Sequence, residues 1–329
     1  KQTPQTPQQI ETEPFVSSEN KETFEYALPP KEEPIQVYIV GSDGYYDFET
    51  IEAVYWLNEV KNILPSISEV AYALGVAASG SNIYIVGCDG DEAVYWLNGR
   101  RIVLPKSSSQ RAWAQAIAIS GSDVYIVGFD GDDAVYWLNG RRIVLQSSER
   151  AEARDIAVSG NDVYIVGYSK DDAVYWLNGT QIVLPRSINS SDARASDIAI
   201  SGSDVYILGF DRDSDSHRHD AVYWLNGIQS IFSESSYPNA IAVSGTDIYI
   251  AGENSAIDEI VYWHNGEQVV LPSEKPDMAY PTAIAVLGSD IYITGFNGGD
   301  PVYWLNGRLI TLPKTSDYWA HANNILILR

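Results

Sequence analysis

The segment DRDSDSHRHD, Asp211–Asp220, sets Asp211, Asp213 and Asp215 at alternate positions. That spacing suits convergence of carboxylates on Ca²⁺, which takes roughly six to eight oxygen ligands. Ser216 stands where calcium loops carry a glycine for the sharp turn, and no glutamate holds the twelfth position. His217 and His219 would pull the same loop toward a transition metal instead. A solvated loop with no metal is the competing reading. No cofactor other than that Ca²⁺ is expected. The shorter acidic stretches, such as Asp130-Gly131-Asp132-Asp133 and Asp171-Asp172, read as turn chemistry, because Asp and Gly are favoured in turns.

Other candidate residues become visible only through a repeat. AVYWLNG occurs at Ala93–Gly99, Ala134–Gly140, Ala173–Gly179 and Ala221–Gly227, with variants at Ala53–Glu59, Ile260–Gly266 and Pro301–Gly307. The tryptophans of these seven copies recur every 39 to 41 residues, except for a step of 48 from Trp176 to Trp224. Periods of this size mark propeller blades or solenoid units. One copy, from Ala116, contains four short β-rich runs: Ala116–Ser120, Val124–Phe129, Ala134–Leu138 and Arg142–Leu145, termed A to D. Gly121-Ser122 joins A to B. Asn139-Gly140 joins C to D, and six of the seven C–D turns carry this pair, Asn58-Glu59 being the exception. Both turn residues of a type I′ hairpin need positive φ, which Asn-Gly supplies. Strands of consecutive Val, Tyr, Trp and Leu are apolar on both faces, as expected where neighbouring blades cover both sides. The Tyr-Trp pair therefore reads as packing between blades.

The expected fold is all-β: a seven-bladed β-propeller with four antiparallel strands per blade. The first copy begins at strand B, Val37–Val40, and the last ends on a lone strand A, Ile325–Leu328. Docking of that C-terminal strand into the first blade would close the ring and remove its open edges. Residues 35–329 form the propeller, and 1–34, rich in Pro, Gln and Glu, read as a disordered tether.

The pattern SGsDvYivG followed by AVYWLNG resembles repeats of exported bacterial propeller proteins, some of them lipoproteins. The resemblance implies export to the cell surface or periplasm, with a lipid anchor on a removed N-terminal segment. It implies no activity. There is no Trp-Asp at the end of strand C, no paired-glycine kelch signature and no sialidase box.

The A–B and C–D turns share one face of such a ring, and the variable B–C loops and D–A crossovers share the other. Aligned on the following A strand, the crossovers place Tyr72, Trp113, Glu152, Arg194, Tyr237, Tyr280 and His321 in a ring near the central channel, with Trp319 beside it. Asp155, Asp197 and Asn324 fall one step deeper. Aromatic rings here suit a sugar or a protein partner, and they equally suit simple packing of the channel mouth. The reading is a non-catalytic binding module for a protein or glycan. The alternatives are a glycan- or phosphoester-acting enzyme, with or without calcium, whose channel-mouth site uses Glu152 and His321, and a structural assembly subunit. With Lys and Arg together numbering 21 against 44 Asp and Glu, the net charge of −23 disfavours nucleic acid. No apolar run is long enough for the propeller to insert into a membrane. Cys88, the lone cysteine, occupies a strand-end place that is aromatic in other copies and reads as structural.

Overall fold

The computed structural model describes residues 34–45, 50–107, 110–147, 149–216, 218–315 and 319–329. The chain divides into Lys1–Pro34 and Ile35–Arg329. The first unit falls almost wholly outside the described residues, and so does His217. The second unit contains seven four-stranded antiparallel sheets, one per blade. Blade 3 is representative: strand A is Ala112–Ser120, B is Asp123–Asp130, C is Asp133–Leu138 and D is Arg141–Val144. The A strands of successive blades lie side by side and line the axis. In blade 1 the A strand is Ala320–Leu328, which pairs antiparallel with Gln36–Tyr45. The last strand of the chain thus closes the ring.

The repeat residues have distinct jobs. Each Asn-Gly turn has both residues at positive φ, for example Asn139 at 51° and Gly140 at 81°. The asparagine also acts as a clasp. Asn139 Oδ1 accepts from Val124 N–H at 2.9 Å, and its Nδ2 donates to Asp123 at 2.9 Å. The tryptophans are core: Trp56, Trp96, Trp137, Trp176, Trp224 and Trp304 are fully buried. Each of these six donates its indole N–H to a carbonyl in the crossover leaving the preceding blade, as Trp137 does to Pro105 at 2.7 Å. Trp56 makes this bond to Pro313 and so ties blade 7 to blade 1. Trp263 does not make it. Ser233 replaces the proline there, and Phe232 meets the Trp263 ring edge-on at 5.2 Å. A cavity of about 240 Å³ opens beside it.

The A strands start earlier than the sequence patterning suggested, and each contains a bulge. In blade 3 the register shifts between Ala114 and Ala116, leaving Gln115 unpaired. The equivalent bulge residues are Leu74, Arg154, Ser196, Asn239, Thr282 and Asn323. Several reach the next blade: Asn239 donates to Pro281 O at 2.9 Å, and Asn323 donates to Ala73 O at 2.9 Å. The bulge also explains the glycine of the IVG triplet. A Cβ on Gly128 would stand 1.9 Å from the carbonyl oxygen of Trp113.

Candidate binding site at the channel mouth

The bulge determines where the candidate ring residues sit. Tyr72, Trp113, Glu152, Tyr237, Tyr280 and His321 are each the second residue of an A strand, and Arg194 is the fifth of its own. They belong to strands and not to the crossovers where sequence alignment put them. The hydrogen-bonded ladder continues past the bulge toward the loop-bearing face, and this fixes their backbone. All seven occupy one register position. Their B-strand partners are Cys88, Phe129, Tyr168, Phe210, Glu253, Phe296 and Ser42. Sequence reasoning missed this second ring as a site; the residue after each IVG-type glycine was its signal.

The ring is divided into local clusters. Tyr72 and Trp113 lie 5.7 Å apart, Trp113 packs on Phe129 at 6.0 Å, and the Arg111 guanidinium sits 4.7 Å from the Trp113 ring. The indole nitrogen of Trp113 is buried with no hydrogen-bond partner. Glu152 is ion-paired to Arg150 and Arg154 at 3.2 and 3.1 Å, and Arg194 lies 4.3 Å from the Tyr168 ring. The Tyr237 hydroxyl is 2.7 Å from Nδ1 of His219, whose pKa is held below its usual value by burial. Phe296 contacts Tyr280 at 5.9 Å, Trp319 at 5.8 Å and His321 at 4.6 Å. Burial lowers the pKa of His321 and favours the neutral imidazole. Glu152 and His321 stand on blades 4 and 1 with separate partners, so the structure does not assemble them into an acid–base pair. Cys88 is 1% exposed, and burial pushes its thiol up to about 12, which fits a structural residue.

Below the mouth the axis widens into a cavity of about 290 Å³ whose lining includes Gln115, Arg154, Asp155, Asp197, Asn239 and Asn324. Asp155 and Asp197 are hydrogen-bonded to each other, and burial raises both carboxyls. The charge of Asp155 pushes Asp197 further. A single proton shared by the pair is the arrangement such a site favours. Their oxygens also accept backbone N–H groups: Ile198 donates to both, and Ile241 donates to Asp197 at 2.8 Å. The pair therefore clasps blades 4, 5 and 6.

In the D-x-D-x-D loop, two of the three carboxylates take donors from the protein. Asp211 is 2% exposed and accepts from Ser187 N–H and Gln229 Nε2, anchoring a crossover. Asp213 Oδ1 accepts from Asp215 N–H, Ser216 N–H and the Ser216 hydroxyl, closing a tight turn that lowers its pKa. Among the described residues, no three His, Cys, Asp or Glu side chains are grouped as a metal site would need.

No family model matches the chain, and no curated protein matches it by sequence. Solved structures do match in fold. The computationally designed Ika8 protein is similar with a TM-score of 0.50 and 14% identity, covering 87% of this chain and 89% of that one. A catalytically inactive virginiamycin B lyase from Staphylococcus aureus gives 0.51 and 14%, covering 75% and 86%. An extracellular domain assigned to a one-component system of B. thetaiotaomicron gives 0.50 and 8%, covering 86% of this chain and 47% of that chain. These likenesses establish the propeller fold and leave the exported lipoprotein resemblance without a sequence relative behind it. One neighbour is a lyase and another an extracellular domain, so the fold alone does not select an activity. Among the described residues, no helix is long and apolar enough to cross a membrane.

Proposed function

We propose that this chain is a non-catalytic binding module that engages a protein or glycan partner through the loop-bearing face of the propeller. The observation that carries the reading is a contrast in how the two faces use their polar groups. On the turn face, Asn98, Asn139, Asn178, Asn226, Asn265 and Asn306 each spend the side-chain amide on a neighbouring strand. On the loop face, Trp113 and Glu253 keep polar atoms without partners, against Nε2 of His264 beside the turns, and Tyr237 and Tyr280 are 38% and 37% exposed. Half-exposed aromatics suit recognition, because their ring faces are available for stacking and their hydroxyls for hydrogen bonds. The Pro-, Gln- and Glu-rich composition of Lys1–Pro34 supports a tether, and the resemblance of the repeat to exported bacterial propellers supports a place outside the cell.

The test is binding of the full chain to arrays of glycans and proteins, beside a Tyr72→Ala/Trp113→Ala variant of verified melting temperature. Specific binding lost in the variant supports the reading. Binding that survives substitution of every cluster on that face refutes it.

An enzyme acting on glycans or phosphoesters is the second reading, favoured by one observation. The carboxyls of Asp155 and Asp197, perturbed by burial and by each other, line the axial cavity, and such pairs serve acid–base hydrolysis elsewhere. Turnover on a substrate panel that disappears in Asp197→Asn would select it.

A further inference from the structure

A groove of about 680 Å³ lies between blades 6 and 7 on the loop-bearing face. Its walls include Glu253, Ile260, Met278, Tyr280 and Phe296, and Asp258 and Glu259 border it. Glu253 is out of place in this setting. The same register position is Phe129, Tyr168, Phe210 and Phe296 in four other blades. Packing alone would be served by a phenyl ring. Instead, among the described residues, Oε1 of Glu253 has no hydrogen-bond partner and no basic side chain is ion-paired to the carboxylate. Lys275, the basic residue closest in the crossover, packs over Gly298. A half-buried carboxylate without a partner costs free energy, which either a proton or an arriving cationic donor relieves.

We infer that this groove recognises a protonated alkylamine, the group carried by a lysine side chain or a free diamine. The inference rests on the binding-module reading and assigns one subsite of that face. The ammonium pairs with the carboxylate of Glu253 from the groove side, and the methylenes lie along Tyr280, Phe296 and Met278. The Tyr280 and Phe296 rings stand 5.9 Å apart and tilted by 22°, forming an aromatic wall beside the cation. Asp258, Glu259 and the net charge of −23 steer cations toward the groove.

Binding carries a proton signature. Desolvation pushes the Glu253 carboxyl up to about 7, so the carboxyl is mostly protonated below neutrality. An ammonium ion needs the carboxylate, so loading the groove expels that proton to solvent. The other titratable groups facing Glu253 are Tyr237 in its own blade, Tyr280 in blade 7, and Asp258 and Glu259 in the adjoining loop. Tyr280, pushed up to about 12, stays neutral through this range.

The experiment is calorimetric titration of the full chain with three probes: a blocked glycine–lysine–glycine tripeptide, 1,5-diaminopentane, and the tripeptide with an Nε-acetylated lysine. At least one amine should bind and the acetylated peptide should not. Affinity should rise about tenfold from pH 6 to pH 8, following ionisation of a group near 7. Binding by the peptide alone identifies a lysine side chain, and binding by the diamine alone identifies a free amine. Glu253→Gln should weaken binding at least tenfold and flatten its pH dependence. Tyr280→Leu, which keeps the carboxylate, should weaken it several-fold. Equal binding of the acetylated peptide, unchanged binding by Glu253→Gln, or no binding of either amine at millimolar concentration overturns the inference. If amines fail while array binding is still lost in Tyr72→Ala/Trp113→Ala, this subsite falls and the module reading stands. If array binding survives every loop-face variant, the module reading falls, and the amine titration still decides the groove.

Discussion

Replacing Trp137 with Phe should destabilise the ring more than the same change at Trp263. Both indoles are buried, at 0% and 3% exposure, and both sit in strand C of their blades. Both substitutions remove a similar volume, so the cavity contribution nearly cancels. They differ in one bond. Trp137 donates to Pro105 O at 2.7 Å, whereas Trp263 faces Phe232 and makes no equivalent bond. Losing the donor leaves a carbonyl at the blade junction unsatisfied, worth about 1–3 kcal/mol. The void already present beside Trp263 works in the same direction, because fewer packed contacts are lost there. Urea unfolding should therefore show Trp137→Phe costing about 1–3 kcal/mol more than Trp263→Phe, a gap of roughly 2–10 °C in melting temperature. Trp96→Phe should follow Trp137→Phe, since its bond to Pro65 is equivalent. Equal losses at Trp137 and Trp263 would refute the claim that these indoles staple adjacent blades.

Four further outcomes are expected. Glu253 has a folded carboxyl near 7 against an unfolded value of 4.5, so the folded state holds the extra proton between them. Stability from this group is present below the unfolded value, falls as pH rises through the folded value, and then stays lost. Glu253→Gln should thus gain about 1–2 kcal/mol at pH 8, after allowance for solvent in the open groove, and almost nothing at pH 4; melting curves at the two pH values check this. Asp155→Asn should act in the same sense in the channel, because the amide donates to Asp197 at every pH and removes the penalty that appears as the pair loses its proton. A melting temperature that falls at pH 8 but not at pH 4 would contradict that assignment. Gly128→Ala should cost roughly 2 kcal/mol or more, since its Cβ would collide with Trp113 O, and circular dichroism melting would show it. Deleting Asn323–Arg329 removes most of the strand that closes blade 1, and should lower the melting temperature by roughly 10 °C or more; unchanged melting would contradict closure.

The architecture was legible because the repeat advertises it. Asn139-Gly140 demanded a hairpin with positive φ, the apolar run through Trp137 demanded cover on both faces, and the unmatched strand at Ile325–Leu328 demanded a partner in blade 1. The bulges were not legible. Gln115, Arg154 and Asn239 share no residue type, so nothing in composition marks the unpaired position, and the A strands were consequently read four residues short. That error moved Trp113 and Tyr280 from strands into crossovers without disturbing their alignment. The hydrogen bonds taken by Asp211 and Asp213 were not legible in their spacing either. Strand pairing carries the chain to Asp213, which sends Asp211 inward to Ser187 while Asp213 closes a turn. Glu253 escaped notice because a single glutamate in an acidic chain stands out only against the aromatic residues at its register position.

The most direct test of recognition on the loop-bearing face compares the two faces against a partner drawn from the arrays. Tyr72→Ala/Trp113→Ala alters the loop face, and Arg100→Glu/Arg141→Glu alters exposed positions beside the Asn-Gly turns. Recognition on the loop-bearing face should give at least a tenfold rise in Kd for the first variant and a change within about twofold for the second. A partner that ignores the first variant and is lost by the second would place recognition on the turn face and overturn the binding-face assignment.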